Sequence, residues 1–137
     1  MGIVYADLIL KNAVDVNNVW RGYITSEKIR QVKVRAMIDT GAGTLVIGEG
    51  LRRKLGLSIK GLRGLTLADG EHVTGRITEP VEIHWNERFS TFNALVLPGD
   101  HEEVLLGAIP LEDMDLIVDP KNQKLIGAHG DEALTRV

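Results

Sequence analysis

The residue best suited to chemistry is Asp39, the single carboxylate in residues 36–47. Gly41 and Gly43 follow it and allow the chain to turn tightly. Holding a carboxylate between two apolar runs costs free energy, so we expect a functional role for it. Proton transfer is the chemistry that such a carboxylate offers. A turn aspartate that accepts hydrogen bonds from its own downstream amides would show the same local pattern.

Two strands are expected to position Asp39. Residues 32–38 place Val, Val, Ala and Ile at every second position, which predicts a strand with one buried face. Residues 44–47 resume strand-forming chemistry after the glycines. Residues 48–57 then predict a short helix that ends at Gly56, with its basic residues in solvent.

The rest of the chain predicts short strands joined by turns. Asp69-Gly70, within the alternating residues 65–73, is a strong hairpin signal. The other expected elements are a first strand over residues 3–10, a loop or bent hairpin over 14–24, a hairpin over 81–97 after a break at Pro80, a polar loop over 98–103 and a last hairpin over 116–126.

Two motifs carry a resemblance to a known family. Residues 37–42 read Met-Ile-Asp-Thr-Gly-Ala, and residues 105–112 read Leu-Leu-Gly-Ala-Ile-Pro-Leu-Glu. In order and spacing they resemble the retroviral-like (clan AA) single-domain aspartic proteases, most closely the small prokaryotic members. The resemblance covers about residues 29–126. It implies an all-β, retroviral-protease-like closed β-barrel with one or two short helices, and residues 1–137 as one domain.

The resemblance also implies a mechanism. Aspartic proteases hydrolyse peptide bonds with two carboxylates that share one proton. This chain holds one Asp-Thr-Gly, so the resemblance implies a homodimer in which each subunit contributes Asp39. Thr40 would link the two catalytic loops, and Gly41 would allow the backbone to approach the dyad closely.

The substrate implied by the resemblance is a peptide or protein. The residues expected to bind it lie in the catalytic turn, in the hairpin that would act as a flap, and in the late Leu-Leu-Gly element: Ala42, Gly43, Leu67, Ala68, Asp69, Gly70 and Leu106. No metal or cofactor is expected. Two alternatives stay open: a dimeric β-barrel that binds a peptide or partner strand with little or no turnover, and an accessory domain in which Asp39 is structural.

Composition narrows the function classes. The chain has 137 residues, which suits one domain, and its net charge of −3 is spread without a basic stripe for nucleic acid. The absence of cysteine excludes disulfides and thiolate chemistry and fits a reducing cytoplasm, where we expect the protein. No apolar run reaches the roughly 18 residues of a membrane span, so no membrane role is expected.

Rival sites are weaker. Gly41-Ala42-Gly43 lacks the third glycine of a dinucleotide loop, because Val46 stands there. The four histidines lack the paired spacing of a metal site, and the acidic residues near the late motif lack the ladder of a calcium loop. The histidines are His72, His84, His101 and His129, and the acidic residues are Glu112, Asp113 and Asp115.

Overall fold

A computed structural model describes residues 2–137. Within this range the elements, in chain order, are β1 (Tyr5–Asn12), α1 (Ala13–Trp20), a 3-10 turn (Ser26–Lys28), β2 (Gln31–Ile38), β3 (Leu45–Ile47), α2 (Glu49–Lys54), β4 (Ile59–Thr66), β5 (His72–Trp85), β6 (Arg88–Val96), β7 (Val104–Leu106), α3 (Ala108–Asp113), β8 (Leu116–Asp119) and β9 (Lys124–Gly127). No helix in the described range is long and apolar enough to cross a membrane.

Six strands form a closed barrel. They follow the order β1-β2-β7-β3-β6-β5, and a pairing of β1 with β5 closes the ring. β4 extends this sheet by pairing with β5, and β8 pairs with β9 in a separate small sheet. The predicted fold class, an all-β closed barrel with short helices, is confirmed, although the described range holds three α-helices where one or two were expected.

Period-two alternation fills the barrel. In β1, Ala6, Leu8 and Leu10 are buried while the residues between them are exposed. Leu45 and Leu106 from neighbouring strands are fully buried in the same core. Burial of such side chains stabilises the fold by about 1.5–3 kcal/mol each, so the alternation decides which face of each strand turns inward.

The loop or bent hairpin predicted over residues 14–24 is wrong, because residues 13–20 form α1. Asn12 caps this helix: its side-chain oxygen accepts a hydrogen bond from the Asp15 N–H at 3.1 Å. The buried Asp15 carboxylate accepts two guanidinium hydrogen bonds from Arg30, each 2.9 Å long. The Asn12 cap and the hydrogen bonds from Arg30, which lies beyond the helix, outweigh the weak helix propensity of the valines and asparagines in α1.

The predicted break at Pro80 is also wrong. β5 continues from His72 to Trp85, with an irregular register against β6 between Ile77 and Pro80. Thr78 lies in this bulge, where its hydroxyl oxygen accepts a hydrogen bond from the Ala94 N–H at 3.0 Å. A bulge accommodates a proline because the missing N–H leaves no ladder partner unpaired there.

The other expected elements are confirmed. The hairpin around Asp69-Gly70 joins β4 to β5, and α2 occupies the predicted helix, followed by Gly56 at a φ of +65°. The hairpins over 81–97 and 116–126 form as well, although the first strand begins later than expected.

Candidate active site

Asp39 lies directly after β2, at a point where the backbone is held from two sides. Ile38 donates its N–H to the carbonyl oxygen of Val4 at 2.8 Å. Asp39 donates its own N–H in the opposite direction, to the carbonyl oxygen of Leu106 at 3.0 Å. The residue that bears the carboxylate is therefore anchored on one side by the segment before β1 and on the other side by β7.

The turn after Asp39 is bound to the late Leu-Leu-Gly element. Gly107 donates its N–H to the carbonyl oxygen of Thr44 at 2.8 Å, and Ala108 donates to that of Ala42 at 2.9 Å. The Ile109 N–H reaches the carbonyl oxygen of Gly43 at 3.2 Å. The late Leu-Leu-Gly element therefore packs directly beside the turn that follows Asp39.

Gly107 is required by space and not by its dihedral angles. Its φ of −90° suits any residue. A Cβ atom there would lie 2.5 Å from the carbonyl oxygen of Thr44 and 2.6 Å from that of Ala42. Because both atoms belong to the backbone of the turn, no side-chain rotation could relieve the clash.

The Asp39 carboxylate is half-buried and has one internal partner. Its Oδ1 accepts a hydrogen bond from the Gly41 N–H at 3.0 Å, while Oδ2 receives no hydrogen bond from residues 2–137. The bond to Gly41 is what a structural turn aspartate also makes. The surroundings of the free oxygen therefore decide what the carboxylate can do.

Asp39 and Thr40 line an open depression of about 550 Å³. Its other walls come mostly from apolar residues of the N-terminal segment, of β2 and of the β8–β9 region: Gly2, Ile3, Val4, Met37, Ile38, Val118, Pro120 and Gln123. A carboxylate that lines an apolar surface and keeps one oxygen without a partner is suited to proton transfer. Once the surface is covered, bulk water is excluded from the transfer.

A row of half-buried apolar side chains crosses four strands beside the turn. Met37 of β2 lies opposite Leu105 of β7, which lies opposite Val46 of β3, and Val46 lies opposite Leu95 of β6. The alternate positions on these strands point into the core, so the row faces outward. An extended peptide lying along this row would find apolar contacts next to Asp39.

Sequence reasoning missed this row and named Leu106 instead of Leu105. Leu106 has a fully buried side chain, so it packs in the core and cannot face a peptide. Its carbonyl oxygen serves the site by accepting the Asp39 N–H. The alternation of side chains along a strand could have predicted this row, since Met37 is two residues before Asp39 and lies on the same face.

The remaining predicted residues fall into two groups. Thr40, Gly41 and Gly43 are exposed in the catalytic turn, and Ala42 is half-buried there. Leu67 is half-buried, and Ala68, Asp69 and Gly70 are exposed at the hairpin turn. The depression beside Asp39 has no wall from residues 67–70, so the single chain does not bring the hairpin turn to this cavity.

The two arginines at the basic end of α2 form ion pairs within the protein. Glu49 accepts hydrogen bonds from Arg52 at 2.6 Å, from Arg53 at 3.0 Å and from Arg76 of β5 at 3.0 Å. These arginines, Arg52 above all, hold the pKa of the Glu49 carboxyl well below its usual range. The network ties α2 to the strand that returns from the hairpin turn.

The acidic residues after the late motif have a structural role at Asp115. Its carboxylate contacts His129 Nδ1 at 2.9 Å and accepts the Leu134 N–H at 3.1 Å. His129 and then the Leu134 amide lower the pKa of Asp115. Among residues 2–137, no three His, Cys, Asp or Glu side chains are grouped as metal ligands.

Comparison with known proteins agrees with this geometry. The profile of the family described as "gag-polyprotein putative aspartyl protease" matches residues 25–113, more than half of the chain. No curated protein matches the chain. The matched segment contains Asp39, the hairpin and Gly107, and it leaves α1 outside.

Solved structures show the same fold. One is a retropepsin-like aspartic protease from Rickettsia conorii, with a TM-score of 0.54 and 23% identity over 86% of this chain and 85% of that chain. Another is the retroviral protease-like domain of Ddi1 from Leishmania major, with a TM-score of 0.55 and 16% identity over 91% of this chain and 87% of that chain.

Proposed function

This chain belongs to the gag-polyprotein putative aspartyl protease family, and we propose that it is a homodimeric aspartic endopeptidase. The observation that carries the proposal is the arrangement of the backbone and the carboxylate at Asp39. Its backbone is anchored on both sides, one of its carboxylate oxygens accepts no hydrogen bond from residues 2–137, and the residue lines an apolar depression. Since the chain holds one Asp-Thr-Gly, a second carboxylate must come from a second copy.

In this mechanism the two Asp39 carboxylates share one proton. The ionised carboxylate takes a proton from a water molecule, which attacks the scissile carbonyl carbon. The protonated carboxylate gives its proton to the carbonyl oxygen of the same bond, which yields a tetrahedral intermediate. When this intermediate collapses, the C–N bond breaks, the leaving amine takes the proton that was removed from water, and a hydroxyl proton returns to the dyad. Removing the shared proton in alkali or adding a second in acid stops the reaction, so the rate should have a bell-shaped dependence on pH.

The other turn residues would position the dyad. Thr40 is exposed in the single chain, and its hydroxyl would bond to the partner loop across the two-fold axis. Gly41 carries no side chain and holds Oδ1 of Asp39 through its N–H. The exposed backbone at Gly43, with the half-buried Ala42 beside it, would pair with the substrate backbone.

The substrate would be an extended peptide with apolar residues at the scissile bond. Met37, Leu105 and Val46 belong to the half-buried apolar row next to the turn. The hairpin turn, residues 67–70, would cover the bound peptide as a flap contributed by one or both subunits of the dimer. We expect the protein to act in the cytoplasm, in keeping with its lack of cysteine.

A cleavage assay tests this function. Wild type, Asp39→Asn and Asp100→Asn are incubated with a denatured protein from mildly acidic to neutral pH, and fragments are identified by mass spectrometry. Asp100 is an exposed loop aspartate, so its variant controls for the loss of one charge. We expect cleavage by wild type and Asp100→Asn but not by Asp39→Asn.

Two outcomes would contradict the proposal. Equal cleavage by Asp39→Asn would remove Asp39 from the mechanism. Saturable peptide binding without cleavage by any of the three proteins would favour the peptide-binding barrel. Light scattering under the same conditions should give twice the chain mass of 15.0 kDa.

A further inference from the structure

A second groove lies on the outside of the barrel and shares no lining residue with the depression at Asp39. It measures about 520 Å³ and runs between β2, the start of α2 and the loop before β7. We call it the basic groove, and its lining residues are Val32, Lys33, Val34, Arg35, Gly48, Gly50, Leu51, Lys54, His101, Glu102 and Val104.

One wall of the basic groove is an unpaired strand edge. β2 pairs with β1 from Gln31 to Met37, but on its other edge β7 pairs with β2 only from Ala36 to Ile38. No other strand of the described range, residues 2–137, pairs with β2. Residues 31–35 therefore present a free edge to the groove.

The backbone groups of Lys33 and Arg35 point to this free edge. Ile38 donates its N–H toward β1, to Val4, whereas Asp39 donates in the opposite direction, to Leu106. Backbone hydrogen bonds alternate in direction along a strand, so odd-numbered residues of β2 direct N–H and C=O away from β1. An added strand would find these groups ready to pair.

The rest of the lining defines the ligand. Val32, Val34 and Leu51 are half-buried and give the groove an apolar floor. Lys33, Arg35 and Lys54 line the same groove, against the single carboxylate of Glu102. In the described part of the chain these three cations form no ion pair. The groove is thus locally positive in a protein whose net charge is −3.

Two further contacts shape the groove. The Arg35 guanidinium carbon lies 4.4 Å from the centre of the Tyr5 ring of β1, so this cation lies on the outer face of the sheet and is turned toward β1. Gly48 contacts the backbone of His101 so closely that a Cβ would overlap its carbonyl oxygen. The loop wall is therefore packed directly against the start of α2.

We propose that the basic groove binds an extended acidic peptide segment of another protein as an added strand beside residues 31–35. Side chains on a strand alternate between faces, so the peptide would direct apolar residues to Val32 and Val34 and acidic residues to Lys33 and Arg35. The site is separate from the dyad and would hold a segment that is not itself cleaved.

A fluorescent peptide with the sequence Val-Glu-Val-Glu-Val-Glu, acetylated and amidated at its ends, tests the proposal. Binding is followed by anisotropy at low salt with wild type, Lys33→Glu, Lys54→Glu and Lys60→Glu. Lys60 lies exposed on β4 outside the groove, so its variant controls for net charge. We expect saturable binding by wild type and Lys60→Glu, weakened roughly tenfold by each groove variant.

Two additional measurements locate the peptide. NMR should show shifts of the Lys33 and Arg35 backbone amides, and a peptide methylated on its backbone nitrogens should not bind. Asp39→Asn should bind the peptide as wild type does, so failure of proteolysis would not affect this result. Absent saturable binding, equal weakening by Lys60→Glu, or amide shifts confined to Gly41 and Ala42 would overturn the proposal. Lys33 would then serve only to protect the strand edge.

Discussion

Two turns of this protein have the same local chemistry. In the catalytic turn, Asp39 Oδ1 accepts a hydrogen bond from the Gly41 N–H at 3.0 Å. In the hairpin turn, Asp69 Oδ1 accepts one from the Glu71 N–H at 2.8 Å. Judged by residues close in sequence, the two aspartates are equivalent.

Their supports differ. The catalytic turn is held from outside by backbone hydrogen bonds of residues 106–109, and Gly107 fits against it without space for a Cβ. The backbone bonds of the hairpin turn stay within the turn, from Leu67 to Glu71 and from Gly70 to Leu67. The proposed mechanism needs a carboxylate held in place and a cover that can move, and the difference in support between the two turns is in keeping with those two roles.

Gly107→Ala should remove the external support of the catalytic turn, and it should have the largest effect of the substitutions considered. The added Cβ would displace the backbone of the catalytic turn, so we expect the free energy of unfolding to fall by about 3 kcal/mol or more and cleavage to be lost. Denaturant unfolding and the cleavage assay measure both effects. A stable, fully active variant would show that the turn does not depend on this close contact.

A substitution outside both turns, Asp15→Asn, should lower stability without lowering activity. In Asp15→Asn the two guanidinium hydrogen bonds from Arg30 lose their charged acceptor. Because Arg30 is half-exposed, we expect a loss of about 1–2 kcal/mol near neutral pH. Cleavage under folding conditions should stay close to wild type, unlike that of Gly107→Ala.

The effect of Asp15→Asn should also depend on pH. The hydrogen bond from Arg30 lowers the pKa of Asp15 in the folded protein. The stabilisation is therefore complete above the unfolded pKa, about 3.9, and is lost as pH falls through the lower folded value. The difference in unfolding free energy between wild type and variant should shrink in acid. A difference that stays constant from pH 7 to pH 2 would contradict this assignment.

A loss of stability similar to that of Asp15→Asn is expected from a substitution in the hairpin turn. Gly70 has a φ of +86° and open space around it, so Gly70→Val should cost about 1–2 kcal/mol through backbone strain alone. Gly22, with a φ of +78° and open space, offers a matched control far along the chain from both motifs. We expect Gly70→Val to lower turnover much more than Gly22→Val does. Equal turnover would make residues 65–73 an ordinary surface hairpin.

The sequence predicted what local patterns determine. Alternation predicts β2, and an Asp-Gly pair predicts the hairpin between β4 and β5. Prediction from the sequence failed at α1, because the stability of this helix depends on Arg30, which lies 15 residues after Asp15 along the chain. It failed again at Pro80, where β6 supplies the partners that allow β5 to continue through a bulge.

The site shows the same division. The motif predicted Asp39 and the late Leu-Leu-Gly as candidate site residues, but the register of β7 was needed to decide which of Leu105 and Leu106 faces outward. Leu105 lies opposite Met37 on the outer face, whereas Leu106 is buried. The free edge of β2 could not be predicted either, because it depends on where β7 begins.

In the proposed mechanism, one catalytic site needs two chains, each of which contributes Asp39. Wild type and Asp39→Asn, mixed in equal amounts and allowed to exchange subunits, test it in one titration of activity. If each site needs two intact Asp39 residues, only wild-type pairs work, and activity should fall to about one quarter of that of the same total amount of wild type. Activity of about one half would mean that each chain acts alone, which would contradict the shared dyad.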